Sequence, residues 1–166
     1  MIHVYTGDGK GKTTAAIGLT IRAIGNGFRV LFVQFIKEAY AGEIEIFRKF
    51  PELIEIYRCS TGFVYEKPKQ FQIEIVRECV KEIEEKLKKD RYDMVVFDEL
   101  CVALSSGLLS REDAKRMIHF SDKTELIITG RNAPDWLIEQ ADLVTEMKKI
   151  NHYFDRGIKA RKGIEY

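Results

Sequence analysis

Residues 6–15 read TGDGKGKTTA, and this run constrains the fold more than any other part of the chain. Gly7, Gly9 and Gly11 alternate with polar residues and end on Lys12-Thr13. The preceding IHVYT is a short β-branched and aromatic run, which predicts a strand. The following TTAAIGLTIRAIG is rich in Ala and Leu and stops at Gly25-Asn26-Gly27, which predicts a helix. Between such elements the glycines let successive backbone N–H groups point into one concavity, where an anion binds. The helix adds its positive N-terminal end. Lys12 brings a charge to phosphate oxygens, and Thr13 offers a hydroxyl to a magnesium ion. The arrangement is that of a P-loop, with one departure. In the usual G-x-x-x-x-G-K-[ST] pattern the first slot is glycine, and here it holds Thr6. An ordinary glycine-rich turn would not explain Lys-Thr-Thr at a helix entrance.

The rest of the chain alternates strands and helices. RVLFVQFI is nearly all apolar, as in a strand covered on both faces of a parallel sheet. EIEIFRKF predicts a short helix ended by Pro51, and LIEIYRC alternates like a strand. STGFVYEKP predicts a loop. From Lys69 to Lys89, Phe71, Ile75, Val76, Cys79, Val80, Ile83 and Leu87 recur at helical spacing, and core packing is the plain reading of that stripe. DMVVFDEL predicts a buried strand ending in carboxylates, SREDAKRMIHF a helix capped by a serine, ELIITG a strand, APDWLIEQA a helix and DLVTEM an extended run. This order predicts an α/β fold in a single domain over 1–166: a P-loop, RecA-like unit with a mostly parallel central sheet and helices on both faces.

Such sheets bind ligands at the carboxyl ends of their strands. Asp98 and Glu99 close MVVF and are candidate magnesium ligands together with Thr13; the plainer alternative is that one of them caps the next element. Arg131 closes the following strand and either neutralises phosphate charge or forms a structural ion pair; Lys37, after VLFVQFI, is open in the same way. Phe63 and Tyr65 are two aromatics in a predicted surface loop, either a satellite of the core or a platform for a flat apolar ligand.

Several chemistries lack support. His3, His119 and His152 are scattered without metal-ligand spacing, and no G-x-S-x-G element or set of kinase motifs is present. A net charge of +1 argues against nucleic-acid and membrane partners. The basic cluster Arg156, Lys159, Arg161 and Lys162 reads as a solvated tail or a local phosphate contact. Cys59, Cys79 and Cys101 are odd in number and hold no C-x-x-C pair, which predicts buried thiols in a reducing, cytoplasmic setting rather than a disulfide frame. No apolar run is long enough to span a membrane, and the N-terminus does not read as a secretory signal.

The segments VYTGDGKGKTTAAIGL, VLFVQFIK, STGF, DMVVFDEL, IITGRNAP, ADLVTEM and FDRGIKARKGIEY together resemble the P-loop family of ATP:corrinoid adenosyltransferases, also called cob(I)alamin adenosyltransferases, nearly end to end. The resemblance implies ATP with magnesium or manganese and a corrinoid as substrates. It implies attack by cobalt(I) on the ribose 5′-carbon with release of triphosphate. Thr6, Gly7, Asp8, Gly9, Lys10, Gly11, Lys12, Thr13, Thr14 and Arg131 then fall on the ATP. Lys12, Thr13 and Glu99 carry the catalysis, and Thr13, Asp98 and Glu99 the metal. Phe63 and Tyr65 fall on the corrinoid, in a loop whose aromatics displace the lower axial ligand of cobalt; position 65 is Tyr where Trp is expected in the best-known members. The nucleotide is expected to sit unlike that of a hydrolase. A homodimer and a flavoprotein reductant are implied as partners. An N-terminal helical extension that covers the site in some members has no counterpart before the first strand here, so closure is expected to differ. Two rivals stand against this reading. One is a RecA-like ATPase that hydrolyses ATP to ADP and phosphate. The other is a corrinoid or nucleotide carrier, which the absent D-x-H-x-x-G segment disfavours.

Overall fold

The computed structural model describes residues 1–36, 41–59, 61–62, 67–120 and 124–166. Six strands, β1 (Ile2–Thr6), β2 (Val30–Gln34), β3 (Ile54–Arg58), β4 (Met94–Asp98), β5 (Glu125–Thr129) and β6 (Leu143–Glu146), form one sheet in the order β3-β2-β4-β5-β1-β6. Every pairing is parallel. The carboxyl ends of all six strands therefore share one edge, where Gln34 pairs in register with Asp98, Tyr5 with Thr129 and Thr6 with Glu146.

The period-two alternation of side chains splits the core into two layers. On one face Phe32, Val96 and Ile127 pack against Ala16, Ala23 and Ile24 of α1 (Lys12–Gly25) and against Ile44 and Phe47 of α2 (Gly42–Phe47). On the other, Val33, Phe97 and Ile128 meet α3 (Gln70–Lys89), α4 (Leu100–Ser105), α5 (Arg111–Ile118) and α6 (Asp135–Gln140). Strand β2 is buried at all five positions, as its unbroken apolar run requires. Ser110 caps α5 by accepting from Asp113 N at 3.0 Å. The α/β class, parallel sheet and two helical layers expected from the sequence are present. No helix among the described residues is long and apolar enough to cross a membrane.

Three expectations need correction. The stripe on α3 is only partly core: Val76, Cys79, Val80 and Ile83 are buried, whereas Phe71 is 54% and Ile75 37% exposed. DMVVFDEL is not strand to its end, because the chain turns at Glu99 and enters α4. The third concerns the cysteines. Cys59, just past β3, and Cys79, on α3, form a disulfide with their Cα atoms 5.6 Å apart, and Cys101 alone is a free, buried thiol. Burial pushes the Cys101 thiol up to about 12, and the nearby Glu99 adds to this. Ellman titration of unreduced protein is expected to find no reactive thiol in the fold, one after denaturation and three after reduction. The crosslink closes a loop of 20 residues and is worth roughly 3 kcal/mol by loop entropy, so reduction should lower stability by about that amount. Three thiols in the unreduced, denatured chain would remove the crosslink from this account.

Candidate active site

The glycine loop leaves β1 at Thr6 and passes close under the chain that follows β6. A Cβ on Gly7 would stand 2.6 Å, and one on Gly9 2.5 Å, from the carbonyl oxygen of Met147, to which Gly9 N donates at 2.6 Å. Gly7 and Gly11 have φ of +95° and +123°. The alternating glycines thus serve close approach and positive φ, the backbone freedom that an anion nest requires. The Thr6 hydroxyl accepts from Ala133 N at 3.3 Å and fastens the segment after β5. Asp8 accepts from Lys149 N at 3.1 Å, and this bond holds its carboxyl below the ordinary value.

Lys12 curls back over the loop. Its Nζ donates to Gly7 O at 2.7 Å and Gly9 O at 2.6 Å, and the side chain is buried. Burial lowers its pKa, and the Arg131 guanidinium lowers it further, partly offset by Glu99 and Asp8. An ammonium held this way lacks a full counter-charge, which is what a polyphosphate supplies.

Beside it Thr13 Oγ1 donates to Asp98 Oδ1 at 2.7 Å, and Thr129 Oγ1 donates to the same oxygen at 2.8 Å. Glu99 N donates to Thr129 Oγ1 at 3.0 Å. Glu99 itself has φ of 62°, an uncommon conformation for a residue with a side chain, at the sharp entry to α4. Strained backbone of this kind clusters at functional sites.

Among the described residues no three His, Cys, Asp or Glu side chains form a ready metal cage. Magnesium needs less: one or two carboxylates, water and the substrate's phosphates. Thr13, Asp98 and Glu99 are hard oxygen donors on one edge and fit that requirement. Gln34 fits it too. Its amide Nε2 lies 3.5 Å from Asp98 Oδ2, and its buried Oε1 has no hydrogen-bond partner among the described residues, which suits a metal-bound water.

These groups surround a cavity of about 640 Å³ lined by Gly9 to Thr14, Glu99 and Arg131. Thr6, Gly7, Asp8 and Asp98 do not line it; Asp98 is fully buried, whereas Asp8 is exposed. Lys37, Phe63 and Tyr65 lie outside the described residues. Sequence reasoning gave no role to Gln34, Thr129, Met147, Tyr153 or Glu165, and the last two also line the cavity. A hollow of similar size, about 610 Å³, lies beside β3, but no glycine loop reaches it and its Glu55 is already bonded to Lys86 and Tyr92.

The family described as ATP:corrinoid adenosyltransferase BtuR/CobO/CobP matches residues 1–166. The chain belongs to this family. Within the adenosyltransferases it is 39% identical to the corrinoid adenosyltransferase of Pseudomonas aeruginosa over all of this chain and 83% of that one. It is 36% identical to that of Escherichia coli K12 over all of this chain and 85% of that one. Among solved structures the flagellar accessory protein FlaH from Methanocaldococcus jannaschii superposes with a TM-score of 0.53 at 12% identity, over 87% of this chain and 69% of that one, a likeness of fold alone. Membership favours adenosyl transfer to a corrinoid over the ATPase alternative, and it gives the phosphate loop a nucleotide to hold.

Proposed function

We propose that this adenosyltransferase joins the 5′-deoxyadenosyl group of ATP to the cobalt(I) centre of a cobalamin-type corrinoid. The observation that carries this reading is the match of the adenosyltransferase family to the whole chain. Cobalt(I) supplies both electrons of the new Co–C bond. The C5′–O5′ bond breaks, and its electron pair leaves on the terminal oxygen of triphosphate. No proton moves in that step, so no general base is needed, in keeping with the scattered histidines.

The protein's work is to align the ribose with the metal and to stabilise charge growing on the leaving group. Gly7 to Thr14 cradle the triphosphate, with Lys12 as the central cation and Arg131 lining the same cavity. Thr6 and Asp8 brace the cradle through Ala133 and Lys149. Thr13, Asp98 and Glu99 would hold magnesium or manganese, which when bound neutralises phosphate charge. The ribose faces the open side, so the nucleotide lies in a different sense from that in a hydrolase. We assign Phe63 and Tyr65 to the corrinoid side. A homodimer, a flavoprotein reductant and a cytoplasmic setting complete the reading.

The deciding experiment mixes pre-reduced corrinoid with ATP and magnesium and follows the optical spectrum together with the phosphate products. Adenosylcorrinoid with triphosphate supports transfer; ADP and phosphate with an unchanged corrinoid would establish the hydrolase instead. Phe63→Ala is expected to slow turnover with cobalt(II) substrate more than with pre-reduced cobalt(I). Equal loss with both would remove Phe63 from axial-ligand displacement.

A further inference from the structure

The C-terminal segment folds back across the whole chain to the phosphate loop. His152, Tyr153, Gly163, Ile164, Glu165 and Tyr166 line the same cavity as Lys12 and Thr13. The segment is pinned to the loop at two points. At its start Lys149 N donates to Asp8, and Lys149 Nζ pairs with Asp155 at 3.0 Å. At its end Lys10 Nζ donates to Glu165 Oε1 at 2.7 Å and to Ile164 O at 3.1 Å. Glu165 is the hub of this clasp. It accepts from the Tyr153 hydroxyl and, at 2.7 Å, from Arg161 N. The Arg161 guanidinium lies 4.7 Å over the Tyr153 ring, with Lys10 at 5.7 Å from the same ring. These donors hold the Glu165 carboxyl well below its ordinary range. Burial disfavours the charge on Lys10, but the pair with Glu165 outweighs this and holds its pKa above the usual value.

The cavity lining therefore carries two chemically different sets of groups. Lys12, Thr13, Arg131 and the glycine loop suit phosphates. Ile17, Ile36, Ile164 and Tyr166 suit a flat base and a ribose rather than an anion. A bare carboxylate there would repel the triphosphate. Paired with Lys10 it does not, and the pair engages the Lys10 ammonium as well.

We infer that residues 152–166 form the nucleoside-selecting wall of the ATP site, with Glu165 as the positioning residue that sets this wall against the phosphate loop through Lys10. The inference rests on ATP as the substrate. It deepens that reading by naming the part of the chain that recognises the nucleoside.

The test separates the two sets of groups by ligand. The full-length protein without corrinoid is titrated calorimetrically with MgATP and with magnesium tripolyphosphate. Glu165→Gln is expected to weaken MgATP by about tenfold, the scale of one lost charge-assisted hydrogen bond. Tripolyphosphate should be unchanged or tighter, because Lys10 is released towards the anion. Glu165→Asp, which keeps the charge, should recover most of the ATP affinity. Tyr166→Ala, at the exposed terminus, should repeat the selective loss and covers the case in which the Glu165→Gln variant folds poorly. Equal weakening of both ligands, or no change in either, would overturn the assignment. Because no corrinoid is present, failure here is distinct from failure of adenosyl transfer, which the spectral assay reads.

Discussion

Lys12→Met is expected to lower kcat/KM for adenosyl transfer by about 10³-fold while leaving the fold intact. The lysine is the cation the glycine loop folds around, and its Nζ is held by two loop carbonyls at 2.7 and 2.6 Å. Carbonyls solvate an ammonium but do not neutralise it. Burial and Arg131 consequently make the charged form less comfortable than in water. Triphosphate reverses that balance, and the reversal grows as negative charge gathers on the leaving oxygen. The interaction is thus strongest in the transition state, where a contribution accelerates chemistry rather than only tightening binding. Methionine keeps the apolar stem, removes a poorly compensated charge and gives up two hydrogen bonds, so its net effect on stability should be small.

The sign of the pH dependence follows. With the folded-state pKa below the ordinary 10.5, the unfolded chain binds more protons, and wild-type stability gains as pH rises through the window between the two values. Lys12→Met lacks that gain. Its stability relative to wild type should therefore be most favourable below the window and decline through it. Thermal melts across pH together with kcat and KM at neutral pH check both halves. A large drop in melting temperature at neutral pH would make Lys12 a structural pin of the loop instead.

What the sequence reveals and conceals about this site follows from the range of the interactions. A phosphate cradle must be built from consecutive backbone groups, so it is written as a local run, and TGDGKGKTTA is readable without any partner. A strand buried on both faces must be apolar throughout, so VLFVQ is readable too. The pairing of Lys10 with Glu165 spans 155 positions, and neither residue type announces it. The same holds for Cys59 and Cys79, whose separation of 20 carries no periodicity; they meet only because α3 packs across the end of β3. Helix α4 has six residues, too few to show a helical period, and its start is set by the turn at Glu99 rather than by a cap. Phe71 and Ile75 kept the spacing of a core stripe yet lie exposed, because period reports which residues share a face and not how much of that face is covered. Gln34 is hidden for the opposite reason: a lone polar residue in an apolar strand reads as a break in pattern, and only the register with Asp98 shows where it lies.

Asp98→Asn is expected to cost about 100-fold in adenosyl transfer and to raise the magnesium concentration needed for half-maximal rate, with a loss of stability of only about 1 kcal/mol. Asp98 is fully buried, and one oxygen takes both the Thr13 and Thr129 hydroxyls. The amide oxygen of asparagine can keep both. The new amide NH2 then faces the Gln34 side chain, where the present contact is a long 3.5 Å from Nε2. Gln34 can answer by rotating its own amide, because its Oε1 is a buried acceptor with no partner among the described residues. These three contacts thus survive the substitution, and what they lose is the negative charge. If Asp98 serves only to hold Thr13 in place, the asparagine variant should perform nearly as well as wild type. If its charge helps hold the metal, the deficit should shrink as magnesium is raised. Glu99→Gln provides the contrast, because Glu99, on strained backbone, lines the cavity and Asp98 does not. A magnesium-sensitive loss in Asp98→Asn with a magnesium-insensitive one in Glu99→Gln would assign the ion to the buried carboxylate. The reverse would assign it to Glu99 and leave Asp98 as the anchor of Thr13.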